Sequence, residues 1–256
     1  MKKLVLYLLM TTPISTLISQ EKFEHPAPIE RQKVVHHKHY SLSFNIPYGL
    51  ASWVAYDLKA SDLQKNVEID GKITQDPKLP GATAEYKDYK KSDFEAGHLV
   101  PPRDMAFSEE ALNETFYITN IAAQKPGFSG GVWKTLEGLV RYWAASYDSV
   151  YVITGPVLTE APFQTIGKNK VSVPKTYYKV IMSSDRSKAV GFLISNRNSV
   201  STLASFAVPV DKVEEITNID FFPMMEDEKE EKVESEFNKE DWIWETEVDI
   251  EKLPSN

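Results

Sequence analysis

Residues 95–105 read "EAGHLVPPRDM". A Gly-His pair stands just ahead of a double proline, with a carboxylate on either side. The prolines end whatever extended segment carries the histidine, because they fix φ and have no N–H to continue a ladder. The chain has five histidines, and His25, His36, His37 and His39 all fall in the first 39 residues, so His98 is the only one in the rest of the chain. A neutral imidazole is the side chain best suited to take a proton near pH 7. Residues 115–141, "TFYITNIAAQKPGFSGGVWKTLEGLVR", follow closely. "TFYITNIAA" reads as a strand carrying Asn120. From Gly130 to about Tyr147, Val132, Trp133, Leu136, Leu139, Val140, Trp143, Ala144 and Tyr147 recur with the 3.6-residue period of an amphipathic helix. Ser129 stands where its N-cap belongs, and Glu137 and Arg141, four apart, share one face. Extended segment, strand and helix thus bring one histidine and several oxygen groups together.

Outward from this core, "YSLSFN", "SWVAYDL", "SVYVITGPVL", "KTYYKVIMSS" and "AVGFLIS" have the aromatic and β-branched content of strands. "DKVEEITNI" reads as a short helix capped by Asp211. Residues 59–93, rich in Lys, Asp, Gly and Pro, read as a long surface loop, and such loops in compact domains often carry function. The fold class expected is α+β, a central antiparallel sheet with packed helices. An apolar fraction of 42% over 256 residues can bury the core of one large domain.

The ends differ from the body. "MKKLVLYLLMTTPISTLIS" has two lysines, an apolar run and small residues, the layout of a signal peptide over residues 1–19 and hence of an exported, periplasmic or extracellular protein without stable membrane contact. Residues 20–39, with "HHKH" at 36–39, read as a flexible, solvated leader, and 40–225 as the domain. Residues 226–256 hold 13 acidic residues and 4 lysines; the rest of the chain carries a net charge of +1 out of a total of −8. That places the acidity in a tail, although "DWIWETEVDI" within it returns to apolar alternation and suits docking on the body. With no cysteine, disulfides and thiolate metal sites are excluded.

"EAGH", "TNIAAQ" and "FSGGVWKTLE" at this spacing resemble the motifs of the DNA/RNA non-specific endonucleases, the ββα-metal family, whose pattern reads DRGH followed by "SNIxPQ…FNxGxWxxLE". The resemblance runs from about Tyr40 to about Pro223. It implies a ββα-metal motif in the α+β fold, Mg²⁺ (or Mn²⁺) as cofactor, and DNA and RNA as substrates of phosphodiester hydrolysis. Residue by residue, it implies His98 as general base, Asn120 as an active-site asparagine, Glu137 as the carboxylate orienting metal-bound water, and Arg141 as a helix arginine near the phosphate. Ser129 stands where the family has a metal-ligating asparagine, Ala96 where it has the phosphate-contacting arginine, and Glu95 in place of its aspartate. No arginine occurs between Arg31 and Arg103, which leaves Lys90, Lys91 or Lys125 to supply that charge without a bidentate fork. Two readings stay open: an active nuclease, and a catalytically impaired nuclease-fold protein that binds nucleic acid or a protein partner.

Overall fold

The computed structural model describes residues 22–82 and 84–244; the expected signal segment lies outside them. Its strands are β1 (Lys33–His36), β2 (Ser41–Asn45), β3 (Leu50–Lys59), β4 (Glu95–His98), β5 (Ile121–Gln124), β6 (Ser149–Pro156), β7 (Gln164–Ile166), β8 (Val171–Val173), β9 (Thr176–Ser183), β10 (Ala189–Ser195) and β11 (Ala207–Val208). Its α-helices are α1 (Tyr86–Tyr89), α2 (Glu109–Thr115), α3 (Lys134–Ser146), α4 (Val210–Thr217) and α5 (Asp227–Ser235). Seven strands form one antiparallel sheet in the order β1-β2-β3-β6-β9-β10-β11, and β4-β5 and β7-β8 are separate antiparallel pairs. The fold is α+β, as expected. No described helix is long and apolar enough to cross a membrane.

The main sheet separates two cores, and strand periodicity says which residue enters which. On β3, Val54, Tyr56 and Leu58 face one core while Trp53 and Ala55 face the other. On β9, Tyr177 and Ile181 share the first face, and Tyr178, Val180 and Met182 the second. Helix α3 covers the first face with Leu136, Leu139, Val140, Trp143 and Ala144, the stripe its sequence period calls for. Helix α4 covers the second with Val210 and Val213.

The structure corrects several expectations. The segment read as a flexible leader is docked from Phe23 onward. Its "HHKH" includes the end of an edge strand and a set of side-chain anchors: His37 Nε2 meets Asp76 Oδ2 at 3.0 Å and His39 Nδ1 meets Glu114 Oε2 at 2.9 Å. The backbone N–H groups of Lys38 and His39 also donate to Glu114. Helix α2, capped by the Ser108 hydroxyl at its N-terminus, supplies that glutamate. "TFYITNIAA" is extended only from Ile121; Thr115 ends α2 and Ile118–Asn120 is a 3₁₀ turn. Ser129 does not cap α3. It lies in a kinked turn over Phe128–Trp133, broken at Gly131, that precedes the helix. Pro209, not Asp211, stands at the N-cap of α4.

Residues 226–244 of the acidic segment are also part of the body, and its remainder lies outside the described residues. Val233 of α5 is buried with Val210, Val213 and Phe222. Trp242 is 4% exposed, its ring 4.3 Å from that of Trp143, whose Nε1 donates to the Ile243 carbonyl at 2.7 Å. Lys188 lies over the Trp242 ring at 4.9 Å. Trp242→Ala therefore opens a cavity beside Trp143 and lowers the unfolding free energy by about 3–5 kcal/mol. Urea denaturation followed by tryptophan fluorescence measures it; a loss under about 1 kcal/mol would mean the docked tail carries little stability.

Candidate active site

Strand β4 holds the histidine, and its pairing with β5 sets the register: Glu95 faces Gln124, Ala96 faces Ala123, Gly97 faces Ala122 and His98 faces Ile121. The glycine is a packing requirement. A Cβ at Gly97 would come within 2.1 Å of Gln124 Oε1, because the buried Gln124 side chain lies across it. Alternation along β4 puts Ala96 and His98 on the same face. That face lines a cleft of about 770 Å³ with Lys72, Lys90, Glu95 and Phe116 also in its wall. His98 packs edge-on against Phe116, ring centroids 5.0 Å apart. The long loop reaches this wall through Gly71, where a Cβ would collide with the Phe116 ring at 2.2 Å.

His98 Nε2 is enclosed and has no hydrogen-bond partner. Burial pushes the imidazole down to about 4, so it is neutral at physiological pH and can accept a proton. Of the lysines considered for the missing arginine's charge, Lys90 lies on the cleft, whereas Lys125 sits over the Phe94 ring at 4.2 Å. Lys72, which the sequence reading passed over, lines the cleft too; its only signal was its place in the charged loop.

Asn120 is fully buried, and its carboxamide is spent on backbone. Oδ1 accepts from Val100 N–H at 2.8 Å, and Nδ2 donates to the carbonyls of Val100 at 3.0 Å and Thr115 at 2.8 Å. These bonds clamp the turn after His98 to the end of α2. Its geometry fits bracing of the histidine rather than contact with a cation. Ser129 donates to Glu95 Oε2, so two positions that depart from the family pattern touch each other.

Glu137 and Arg141 project from α3 toward the sheet and belong to a buried polar group. Arg141 Nη1 is 2.8 Å from Asp104 Oδ1, and Asp104 Oδ2 accepts from the Tyr56 hydroxyl at 2.8 Å. Arg141 is thus paired with a carboxylate through Nη1. Lys179, on the α3 side of β9, is 1% exposed; its Nζ has no hydrogen-bond partner and lies 4.8 Å from the centre of the Trp133 ring. Burial raises the Glu137 carboxyl, an effect the nearby Lys179 charge opposes and Asp104 adds to. Burial likewise lowers Lys179, against the pull of Glu137. Asp104 and Lys179 were not picked from the sequence: "PPRDM" reads as a turn, and a lysine in "KTYYKVIMSS" reads as one more surface charge. Among the described residues no hydrogen bond or ion pair joins this buried group to His98.

The DNA/RNA non-specific endonuclease family model matches residues 18–228. The chain belongs to the DNA/RNA non-specific endonuclease family. It is 32% identical over 203 residues to the mitochondrial nuclease EXOG of Danio rerio, covering 72% of this chain and 59% of that protein. It is 29% identical over 205 residues to nuclease C1 of Cunninghamella echinulata var. echinulata, covering 73% of this chain and 81% of that one. Its fold matches the crystal structure of the EndoG/EndoGI complex with a TM-score of 0.70, 29% identity, and coverage of 77% and 88% of the two chains. The chain thus spans about three-fifths of the length of the EXOG relative.

Removing the Asn120 carboxamide strands three backbone groups in a dry interior, each worth roughly 1–3 kcal/mol. Asn120→Ala should therefore cost about 3 kcal/mol or more in equilibrium unfolding, against less than about 0.5 kcal/mol for Ser129→Ala at an exposed position. Equal, small losses for the two would show that the clamp is not needed.

Proposed function

We propose that the chain is a metal-dependent, sequence-independent nuclease that hydrolyses phosphodiester bonds of DNA and RNA at the His98 cleft. The observation that carries this is the position of His98, neutral and with Nε2 free of any hydrogen-bond partner, on a cleft whose wall also presents Lys72 and Lys90. The two lysines draw the phosphate in; His98 takes the proton of the attacking water, a contribution of roughly 10²–10⁴ in rate. Phe116 holds the imidazole edge-on and excludes water from that side. Asn120 fixes the backbone that follows His98.

The family typically works with a divalent metal. The donor chemistry of this chain suits a hard cation: Glu137, Ser129 and Glu95 offer oxygen, and no group of three His, Asp or Glu side chains converges at the cleft among the described residues. Such a cation keeps most of its waters, as Mg²⁺ prefers. When bound, it supplies charge stabilisation for the phosphate and the leaving oxygen. Glu137 is the residue we assign to orient it, with Ser129 as a second oxygen. Export to the periplasm or medium is part of the same proposal and rests on the lysine-plus-apolar pattern of residues 1–19.

One pair of observations favours a second reading, a nuclease-fold binding protein. Ala96 leaves the cleft without a guanidinium, and the Ser129 proton is already given to Glu95. Plasmid nicking separates the two. The nuclease nicks supercoiled DNA with Mg²⁺ or Mn²⁺, stops with EDTA, and loses all cleavage in His98→Ala while remaining folded. Ala96→Arg restores one charged contact on the His98 face and raises the rate by roughly ten- to a hundred-fold. DNA binding without nicking, in the parent and in Ala96→Arg alike, would establish the binding protein.

The pH profile assigns the base and the carboxylate. His98 is held near 4, so its protonation limits the rate only in strong acid, whereas Glu137 is raised and takes up a proton closer to neutrality. The acid limb of the rate therefore belongs to Glu137, with activity rising as pH rises and the carboxylate ionises. Because a cation competes with the proton, a tenfold increase in Mg²⁺ should move that limb to lower pH. A limb that stays fixed across the metal titration would detach Glu137 from the cation.

A further inference from the structure

On the sheet face opposite α3, helices α4 and α5 bring carboxylates together. One carboxylate oxygen from each of Asp211, Glu214 and Glu234 lies within 4.8 Å of the other two. Glu234 is 4% exposed, and its Oε1 is enclosed without any hydrogen-bond partner. Glu230, one turn earlier on α5, also has an enclosed, unpartnered Oε1. No lysine or arginine among the described residues forms an ion pair with these groups; Lys212, the nearest in sequence, pairs with Glu215. Glu214 satisfies one oxygen through the Phe221 N–H at 2.6 Å. Burial, then the neighbouring carboxylates Glu214, Glu230, Asp211 and Asp220, push the Glu234 carboxyl up to about 9.

An enclosed carboxylate oxygen without a donor is costly, and the side chain that carries it stands in a cluster with two further carboxylates. We propose that Asp211, Glu214 and Glu234 bind a divalent cation, Ca²⁺ by preference, that fastens α5 to α4. The ligands are all hard oxygens. Three oxygens within 4.8 Å of one another lie at most about 2.8 Å from a common centre, so an inward shift of no more than a few tenths of an ångström brings all three to the ~2.3–2.6 Å ligand distance of Ca²⁺. The irregular set, three carboxylates from two helices with Asp211 exposed, suits the flexible geometry of Ca²⁺ and leaves room for water ligands, where Mg²⁺ demands an octahedron. The consequence is a tail that is metal-clamped: α5 opens the acidic segment, and its Val233 fills the core only if the carboxylates beside it can approach α4.

The test is calorimetric titration of the full chain with CaCl₂ and thermal unfolding with and without it, free of nucleic acid. The expected result is a site, separate from any binding at the His98 cleft, with a dissociation constant of roughly 10⁻⁵–10⁻³ M, and a Tm rise of roughly 5–10 °C at a hundredfold excess over that value. Glu234→Gln keeps the shape of the protonated side chain and should fold; Asp211→Asn changes an exposed position. Each should weaken Ca²⁺ binding at least tenfold and shrink the Tm rise. No heat and no Tm change in the parent at about 10 mM Ca²⁺, roughly tenfold above the dissociation constants of the weakest extracellular sites, overturns the proposal. So does Ca²⁺ binding left unchanged in both variants, which would place the ion elsewhere. Mg²⁺ binding as tight as Ca²⁺ overturns the choice of ion.

Discussion

The site depends on one buried ion pair. Asp104 is 1% exposed and receives Arg141 from α3 and the Tyr56 hydroxyl from β3. Those contacts join the turn that follows His98, the inner strand β3 of the main sheet and the helix that carries Glu137. A buried pair of this kind contributes little net stability, since desolvation offsets most of the attraction, yet losing one partner costs roughly 3–5 kcal/mol because the other is left charged in a dry place. Its value is positional. It sets where α3 lies along the sheet, and with that the distance between the Glu137 carboxylate and the histidine strand. Arg141 therefore shapes the site through Asp104, whatever it does toward a phosphate.

The histidines divide along the same line. His37 and His39 are committed to Asp76 and Glu114, and these bonds fasten the N-terminal segment to the elements around the cleft. Asp76 also accepts from Thr119 at 2.6 Å, one residue from the Asn120 clamp. Burial alone would raise that carboxyl, but the bonds from His37 and Thr119 hold it below its usual range. His25 stacks on His36 at 5.1 Å. What the sequence presents as a solvated "HHKH" is thus a brace for the loop and turn that frame the site. His98 shares with His25 an enclosed Nε2 that has no hydrogen-bond partner; what sets it apart is its place on the cleft wall beside Lys72 and Lys90.

What was legible in the sequence follows from how local the information is. Helix α3 could be read because its apolar stripe repeats every 3.6 residues within one segment. Strands β2, β3, β6, β9 and β10 could be read from their β-branched and aromatic content, and His98 from its isolation and motif, whereas the edge strands β1 and β11 could not. The docking of the leader could not, because it rests on partners far along the chain: Asp76 is 39 residues from His37, and Glu114 is 75 from His39. The same holds for Trp242 against Trp143, and for Lys179, whose burial under Trp133 is decided by its strand register rather than by its neighbours in sequence. Asn120 shows the limit most sharply. Its position in the motif was visible, but its three bonds to backbone were not, and they alter what the residue does.

The departures from the family pattern look less independent once Glu95 and Ser129 are seen to touch. Glutamate is one methylene longer than aspartate, and serine is shorter than asparagine, so the two changes offset each other across the gap between β4 and the turn before α3. A hydroxyl–carboxylate pair stands where the family pattern has an asparagine and an aspartate. Ala96 has no such compensation on its own strand. The cationic partners nearest to it, Lys72 and Lys90, come from the long loop and from the residue after α1. Lysine attracts a phosphate as a point charge, without the rigid fork that fixes its orientation. The cleft wall thus carries its positive charge on the long loop and on the residue after α1 rather than on β4, and the place of Lys72 depends on how that loop packs against Phe116.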